Sequence, residues 1–183
     1  MKDADLLVFS DFNYGCLPQI LVDSIVEEGQ SIGLFMVADS QSSSQMGDIS
    51  RFENMQLITP TEHEARLALH GSKIGLTVLA EKLHEKTKTR HLIITLGAEG
   101  LLIHSPESTS NNLETDLLPA FNSSPKDVSG AGDSFLICSS MALSLGANIW
   151  ESAYLGSIAS ACQVSRVGNT PLKNNDLLNE LEK

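Results

Sequence analysis

At 183 residues, 42% hydrophobic and 19% charged, the chain has the size of one domain with a sizeable core, or of part of a larger domain, and an ordinary globular composition. Its formal net charge of -11, from 23 acids against 12 Lys and Arg, leaves no basic stripe for a phosphate backbone, which argues against a nucleic-acid partner. Its apolar stretches are interrupted well short of a membrane span, and the N-terminus lacks a signal peptide's long apolar core.

"LLVFS" (Leu6–Ser10) reads as a short strand, and "LPQILVDSIVEEG" (Leu17–Gly29) has helical apolar spacing that stops at a glycine. "IGLFMVAD" (Ile32–Asp39) is a second buried strand, followed by a polar loop. "MQLITP" is a third strand. "TPTEHEARLAL" then opens a helix that carries both His63 and His70, with Thr61 and Glu64 spaced for a capping box. A further helix covers Ile74 to Lys88. "HLIITLG" is the next strand, and "AEG" turns the chain back into an antiparallel "LLIHS". After a loose polar stretch (Ser105–Asp116), "LLPAF" makes a short strand. Three helices close the chain: Ala131–Leu145, Ile149–Arg166, and Lys173 to the end.

Strands alternating with helices imply a mainly parallel sheet covered by helices on both faces, a three-layer α/β/α architecture. Ligands of such sheets bind beyond the carboxyl ends of the strands, where Asp11, Asp39, Thr61–Glu64 and Thr95–Gly97 fall. The chain enters directly on a buried-type strand, which reads as a fold entered midway and cut short at its N-terminus. That strand, with no charge to blunt its edge, is expected to make the chain a homo-oligomer. Cys16, Cys138 and Cys162 show no ligand spacing and are expected as buried free thiols in a reducing, cytoplasmic compartment.

The stretch with most chemical content is "KDVSGAGDSFLICSSMALSLG". Gly130, Ala131 and Gly132 let backbone approach a ligand closely, and the first turn of the following helix offers unpaired N–H groups to an anion such as a phosphate. Asp133 at the same helix start would stay ionised and could accept a proton from an attacking hydroxyl. The alternative is a plain N-terminal helix acid beside glycines that only permit tight packing. "TLGAEG" could bring backbone to nucleotide phosphates with Thr95 adding a hydroxyl, although by itself the stretch reads better as a plain hairpin. Glu64 could hold a magnesium ion through water, and its capping role is also sufficient. Neither the dinucleotide fingerprint nor a P-loop is present.

Taken in order, "TPTEHEARLAL", "ITLGAEGLLIH", "DVSGAGDSF" and "GNTP" resemble the ribokinase-like carbohydrate kinases, the PfkB family. Within it the chain is most similar to the sugar-kinase domain of the heptose-phosphate kinase/ADP-heptose synthase enzymes, with "FSDFNYGCL" and "VADSQ" at the earlier strand ends. The resemblance covers essentially all of residues 1–183 and places them in the C-terminal, nucleotide-binding portion of the kinase domain. It implies an ATP-dependent phosphotransferase acting on a sugar or sugar-phosphate hydroxyl, with ATP and Mg²⁺ bound; a nucleotide-binding module without catalysis is the alternative. By the same resemblance Asp133 is the catalytic base, and Gly130, Ala131 and Gly132 form the anion hole. Thr95 and Gly97 face the nucleotide phosphates, Glu64 organises Mg²⁺ and phosphate, and Gly168 and Asn169 border the adenine. Asp127 and Ser129 fall where family members hold a monovalent cation. Thr61 stands where the family's motif has Asn, and Ser157 where many relatives have an adenine-side Asn. "DFNYG" lacks the lysine of the heptose kinases' Asp-Tyr-x-Lys-Gly pattern, so the resemblance does not carry heptose phosphate over as the substrate.

Overall fold

The computed structural model describes residues 3–41, 47–71, 73–106, 115–122 and 124–182. The chain divides into two compact units, 1–95 with 102–116 and 96–101 with 117–183. Six strands pair in chain order: β1 (Leu6–Asp11), β2 (Phe35–Ser40), β3 (Leu57–Ile58), β4 (His91–Thr95), β5 (Leu101–His104) and β6 (Thr115–Leu118). β1 to β4 run parallel, with Val8 opposite Val37, Val37 opposite Leu57 and Leu57 opposite His91. Residues 96–100 are too few for a parallel crossover, so β5 returns antiparallel to β4 and the sheet is mixed. β1 stands at one end of the strand order, and its Phe9 is buried against the Phe52 ring, 5.3 Å between centroids.

In the first unit, α1 (Gln19–Ser31) runs past the glycine expected to end it. Gly29 is buried inside the helix because Met36 of β2 crosses it; a Cβ there would stand 2.5 Å from the Met36 sulfur. The stop is Gly33 at φ +68, whose N–H donates to Gln30 C=O (3.1 Å) while Leu34 N–H donates to Gly29 C=O (2.9 Å). This is the left-handed glycine cap with its paired carbonyls, and it delays β2 to Phe35. β3 pairs over only Leu57 and Ile58, before Pro60, which has no N–H to give. Val37, Ala38, Leu57, Ile58 and Leu92–Ile94 are fully buried, the continuous apolar character of strands covered on both faces.

α2 (Glu62–Ala68) and α3 (Leu76–Thr87) connect β3 to β4. His70 lies beyond α2 at φ +50, so it does not share a helix with His63. Most of the polar stretch Ser105–Asp116 falls outside the described residues. The strand after it is β6, earlier than the expected Leu117–Phe121, because Pro119 cannot continue a ladder.

The second unit holds α4 (Ala131–Ser144), α5 (Ile149–Val164) and α6 (Asn174–Leu181). α5 starts in a reciprocal capping box, Asn148 N–H to Glu151 Oε2 and Glu151 N–H to Asn148 Oδ1, both 2.9 Å. α4 and α5 meet at Gly156, where a Cβ would lie 2.1 Å from Ser139 Oγ and 2.9 Å from the Phe135 ring. None of the three cysteines is in a disulfide, and none is buried as the sequence led one to expect: Cys16 is exposed in the loop before α1, and Cys138 and Cys162 are half-buried on helix faces. Among the described residues no helix is long and apolar enough to cross a membrane.

Candidate active site

The first unit holds Glu64 and Thr95. The capping box forms as its spacing predicts: Glu64 N–H donates to Thr61 Oγ1 (3.3 Å) and Thr61 N–H donates to Glu64 Oε2 (2.8 Å). Thr61 also forms a parallel bridge with Thr95, whose N–H donates to Pro60 C=O at 2.9 Å. The end of β4 and the start of α2 are thereby fixed side by side, with the Glu64 carboxylate buried at their junction. Thr95, where β4 ends, is half-buried.

The second unit begins with the turn after β4. Gly97 is exposed at φ +62 with open space where a Cβ would project, and Leu96 N–H closes the turn on Gly100 C=O at 2.8 Å. Gly100 is tighter: at φ +101, a Cβ would stand 2.1 Å from Leu118 C=O. Glycine here serves a hairpin, and Gly97 still leaves its backbone open.

Gly130 caps α4 in the left-handed region at φ +76. Ala131, Gly132 and Asp133 are the first three helical residues, so Asp133 lies in the first turn, half-exposed, and not in mid-helix or in the core. Gly132 has nothing within 4 Å of its missing Cβ. First-turn N–H groups have no helical carbonyl to donate to. Ala131 N–H turns back to Val128 C=O at 3.2 Å, which leaves Gly132 and Asp133 as the open part of the turn. Over Gly130 lies the Asn169 side chain, its Oδ1 2.2 Å from where a Cβ would be. Asn169, expected beside adenine, is therefore packed on the first residue of the expected anion hole.

Asp127 and Ser129 are not arranged as open oxygen ligands. Asp127 accepts Ser129 N–H at Oδ1 and Gly168 N–H at Oδ2, both 2.9 Å. These bonds, first those from Ser129 and then that from Gly168, hold its carboxyl below the usual carboxylate range. The carbonyls of Ser129 and Gly168 both accept from Gln163 Nε2, at 3.1 and 3.3 Å. Sequence reading passes over Gln163, since it stands in an apolar helical run with no motif around it. It passes over Arg51 as well, whose Nη2 donates to buried Asp11 at 2.7 Å and to Leu17 C=O at 2.9 Å, at the carboxyl end of β1.

Among the described residues no cluster of three His, Cys, Asp or Glu could hold a metal by itself. Mg²⁺ carried on nucleotide phosphates keeps several waters and uses one or two carboxylates. Glu64 is a carboxylate of that kind. The monovalent-cation positions do not fit an ion as they stand, because an amide already donates to both carbonyls.

The pfkB family carbohydrate kinase model matches residues 2–175. The chain belongs to this family. Among curated relatives, the PfkB chain is 28% identical over 186 residues to the bifunctional protein HldE of Desulfatibacillum aliphaticivorans, covering 100% of the chain and 36% of the relative. It is 27% identical over 172 residues to HldE of Campylobacter jejuni, covering 92% and 35%. It thus spans about a third of the length of these relatives. Among solved structures it superposes on Escherichia coli phosphofructokinase-2 in complex with potassium with a TM-score of 0.80 at 17% identity, covering 98% of the chain and 57% of that structure's. Arabidopsis thaliana ribokinase complexed with ribose and ATP gives 0.79 at 14% identity, covering 100% and 57%. The fold of the PfkB chain is accordingly ribokinase-like.

Proposed function

We propose that this PfkB chain is the nucleotide-binding part of an ATP-dependent kinase acting on a hydroxyl of a sugar or sugar phosphate. One observation carries the reading: Asp133 stands in the first turn of α4, directly after a left-handed Gly130 and beside a Gly132 with open space over its backbone. In this reading Asp133 accepts the proton of the substrate hydroxyl. The hydroxyl oxygen forms its bond to the γ-phosphorus as the bond to the β–γ bridging oxygen breaks, releasing ADP. The first-turn N–H groups after Gly130 face the charge that accumulates on the transferred group, where a preorganised donor acts most strongly. Thr95 and the open backbone of Gly97 serve the nucleotide phosphates, and only the backbone of Gly168 and Asn169 borders the adenine, because the Asn169 side chain packs on Gly130. Mg²⁺ would neutralise phosphate charge when bound, with Glu64 orienting its water shell.

The test uses the longest natural polypeptide that carries these residues. Calorimetry should show that Asp133→Asn keeps ATP·Mg²⁺ affinity within a few-fold of the parent, while sugar-dependent ADP release falls by about 10² or more. ATP binding without ADP release on any sugar would favour a non-catalytic nucleotide-binding module. Failure to bind ATP at all would end both readings.

A further inference from the structure

Two side chains of the second unit act on the same pair of residues. Asp127 takes the N–H groups of Ser129 and Gly168, and Gln163 takes their carbonyls. Together they fasten the segment that leads into α4 to the segment that carries Gly168 and Asn169. Gln163 is 1% exposed. Its Oε1 accepts from Arg166 Nη2 at 3.0 Å. A guanidinium has only donors, so this contact requires the amide oxygen to face Arg166 and the NH₂ to face the two carbonyls. Arg166 is itself held by Thr170 C=O at 3.0 Å and by the Asp176 carboxylate at 3.4 Å.

Converging carbonyls beside a carboxylate are what K⁺ or Na⁺ recognises, since such oxygens replace the ion's hydration shell. Here the point between the two carbonyls is filled by an NH₂ group, with a guanidinium charge one amide away. We propose that Gln163, oriented and polarised by Arg166, takes the place of a monovalent cation in this chain. The segments around Ser129 and Gly168, and with them the start of α4, then keep their arrangement without K⁺ or Na⁺. An ion entering this position would have to expel the amide and leave its buried donors unpaired, which is unfavourable. Only the nucleotide arm of the test below rests on the kinase reading.

The experiment compares potassium, sodium and tetramethylammonium chlorides at equal ionic strength. For the natural protein, melting temperatures should coincide in the three salts, and ATP·Mg²⁺ affinities should agree within about twofold. Gln163→Ala opens the position and exposes both carbonyls; it should melt lower in tetramethylammonium and recover in potassium. Gln163→Met keeps the side-chain length without a donor and should melt lower in all three salts, which supplies the second variant if the alanine form does not fold. A natural protein whose melting temperature or ATP affinity rises in potassium over tetramethylammonium, with affinity changing about fivefold or more, overturns the proposal. So do variants that melt like the parent, or an alanine variant destabilised equally in every salt. The melting arm needs no nucleotide, so failure to bind ATP would count against the kinase reading alone.

Discussion

Gly132→Ala should move stability and nucleotide binding in opposite directions. Gly132 is the second residue of α4, its φ is not positive, and nothing lies within 4 Å of the position a Cβ would take. The folded chain can therefore accept the methyl, while the unfolded chain loses freedom. Glycine to alanine within a helix gains up to about 1 kcal/mol, and about half of that is reasonable in a first turn. For the nucleotide the same methyl stands where a phosphate must approach the N–H groups. Losing one hydrogen bond to a charged group costs about 1.5–3 kcal/mol, roughly tenfold to a hundredfold in affinity. Urea unfolding followed by circular dichroism reads the first quantity, and calorimetry with ATP·Mg²⁺ reads the second. An alanine variant that is more stable yet binds ATP like the parent would show that no phosphate approaches this backbone, and the anion-hole assignment would fail. Gly130→Ala is the contrasting case. At φ +76 and with Asn169 packed over it, alanine should lower stability by about 1–2 kcal/mol, the usual cost of left-handed backbone.

Two further outcomes concern the scaffold. The His91 imidazole is held neutral, its pKa lowered to about 4 by burial first and then by Arg90 and His84, while Nδ1 meets Ser105 Oγ at 2.8 Å. A depressed histidine contributes stability that is complete above its unfolded value near 6.5 and is lost as pH falls toward about 4. Urea midpoints should drop across that window by the equivalent of at most about 3 kcal/mol, since the ring is partly exposed, and His91→Asn should flatten the slope; an equally steep slope in the variant would place the titration elsewhere. Gly156→Ala puts a methyl 2.1 Å from Ser139 Oγ and 2.9 Å from the Phe135 ring. Overpacking of this kind costs about 1–3 kcal/mol against a helix gain of about 1, so the variant should be less stable, and an unchanged urea midpoint would mean that α4 and α5 do not meet there.

What could be read along the chain is what a few neighbouring residues decide among themselves. The capping box of Thr61 and Glu64 formed because its partners are three residues apart on one helical turn, a distance that helix geometry sets wherever the helix packs. Asp133 fell in the first turn of α4 for the same local reason: Gly130 can take the left-handed conformation that starts the turn, and an apolar run follows. The strands of the core were legible in their unbroken apolar character, though their ends moved where Pro60 and Pro119 withdrew an N–H from the ladder. Other features depended on residues that meet only after folding. Gly29 looked like a helix stop, but Met36 packs across it and the stop passed to Gly33. Arg51 sat in an unremarked polar loop until it met Asp11, 40 residues earlier in the chain. Gln163 carried no signal at all, because an amide in an apolar helix acquires a role only when distant carbonyls converge on it. Those of Ser129 and Gly168 do so from 34 residues before it and 5 after it. Such pairings are set by how the α5 helix lies against the segments around them, which no spacing along the chain encodes.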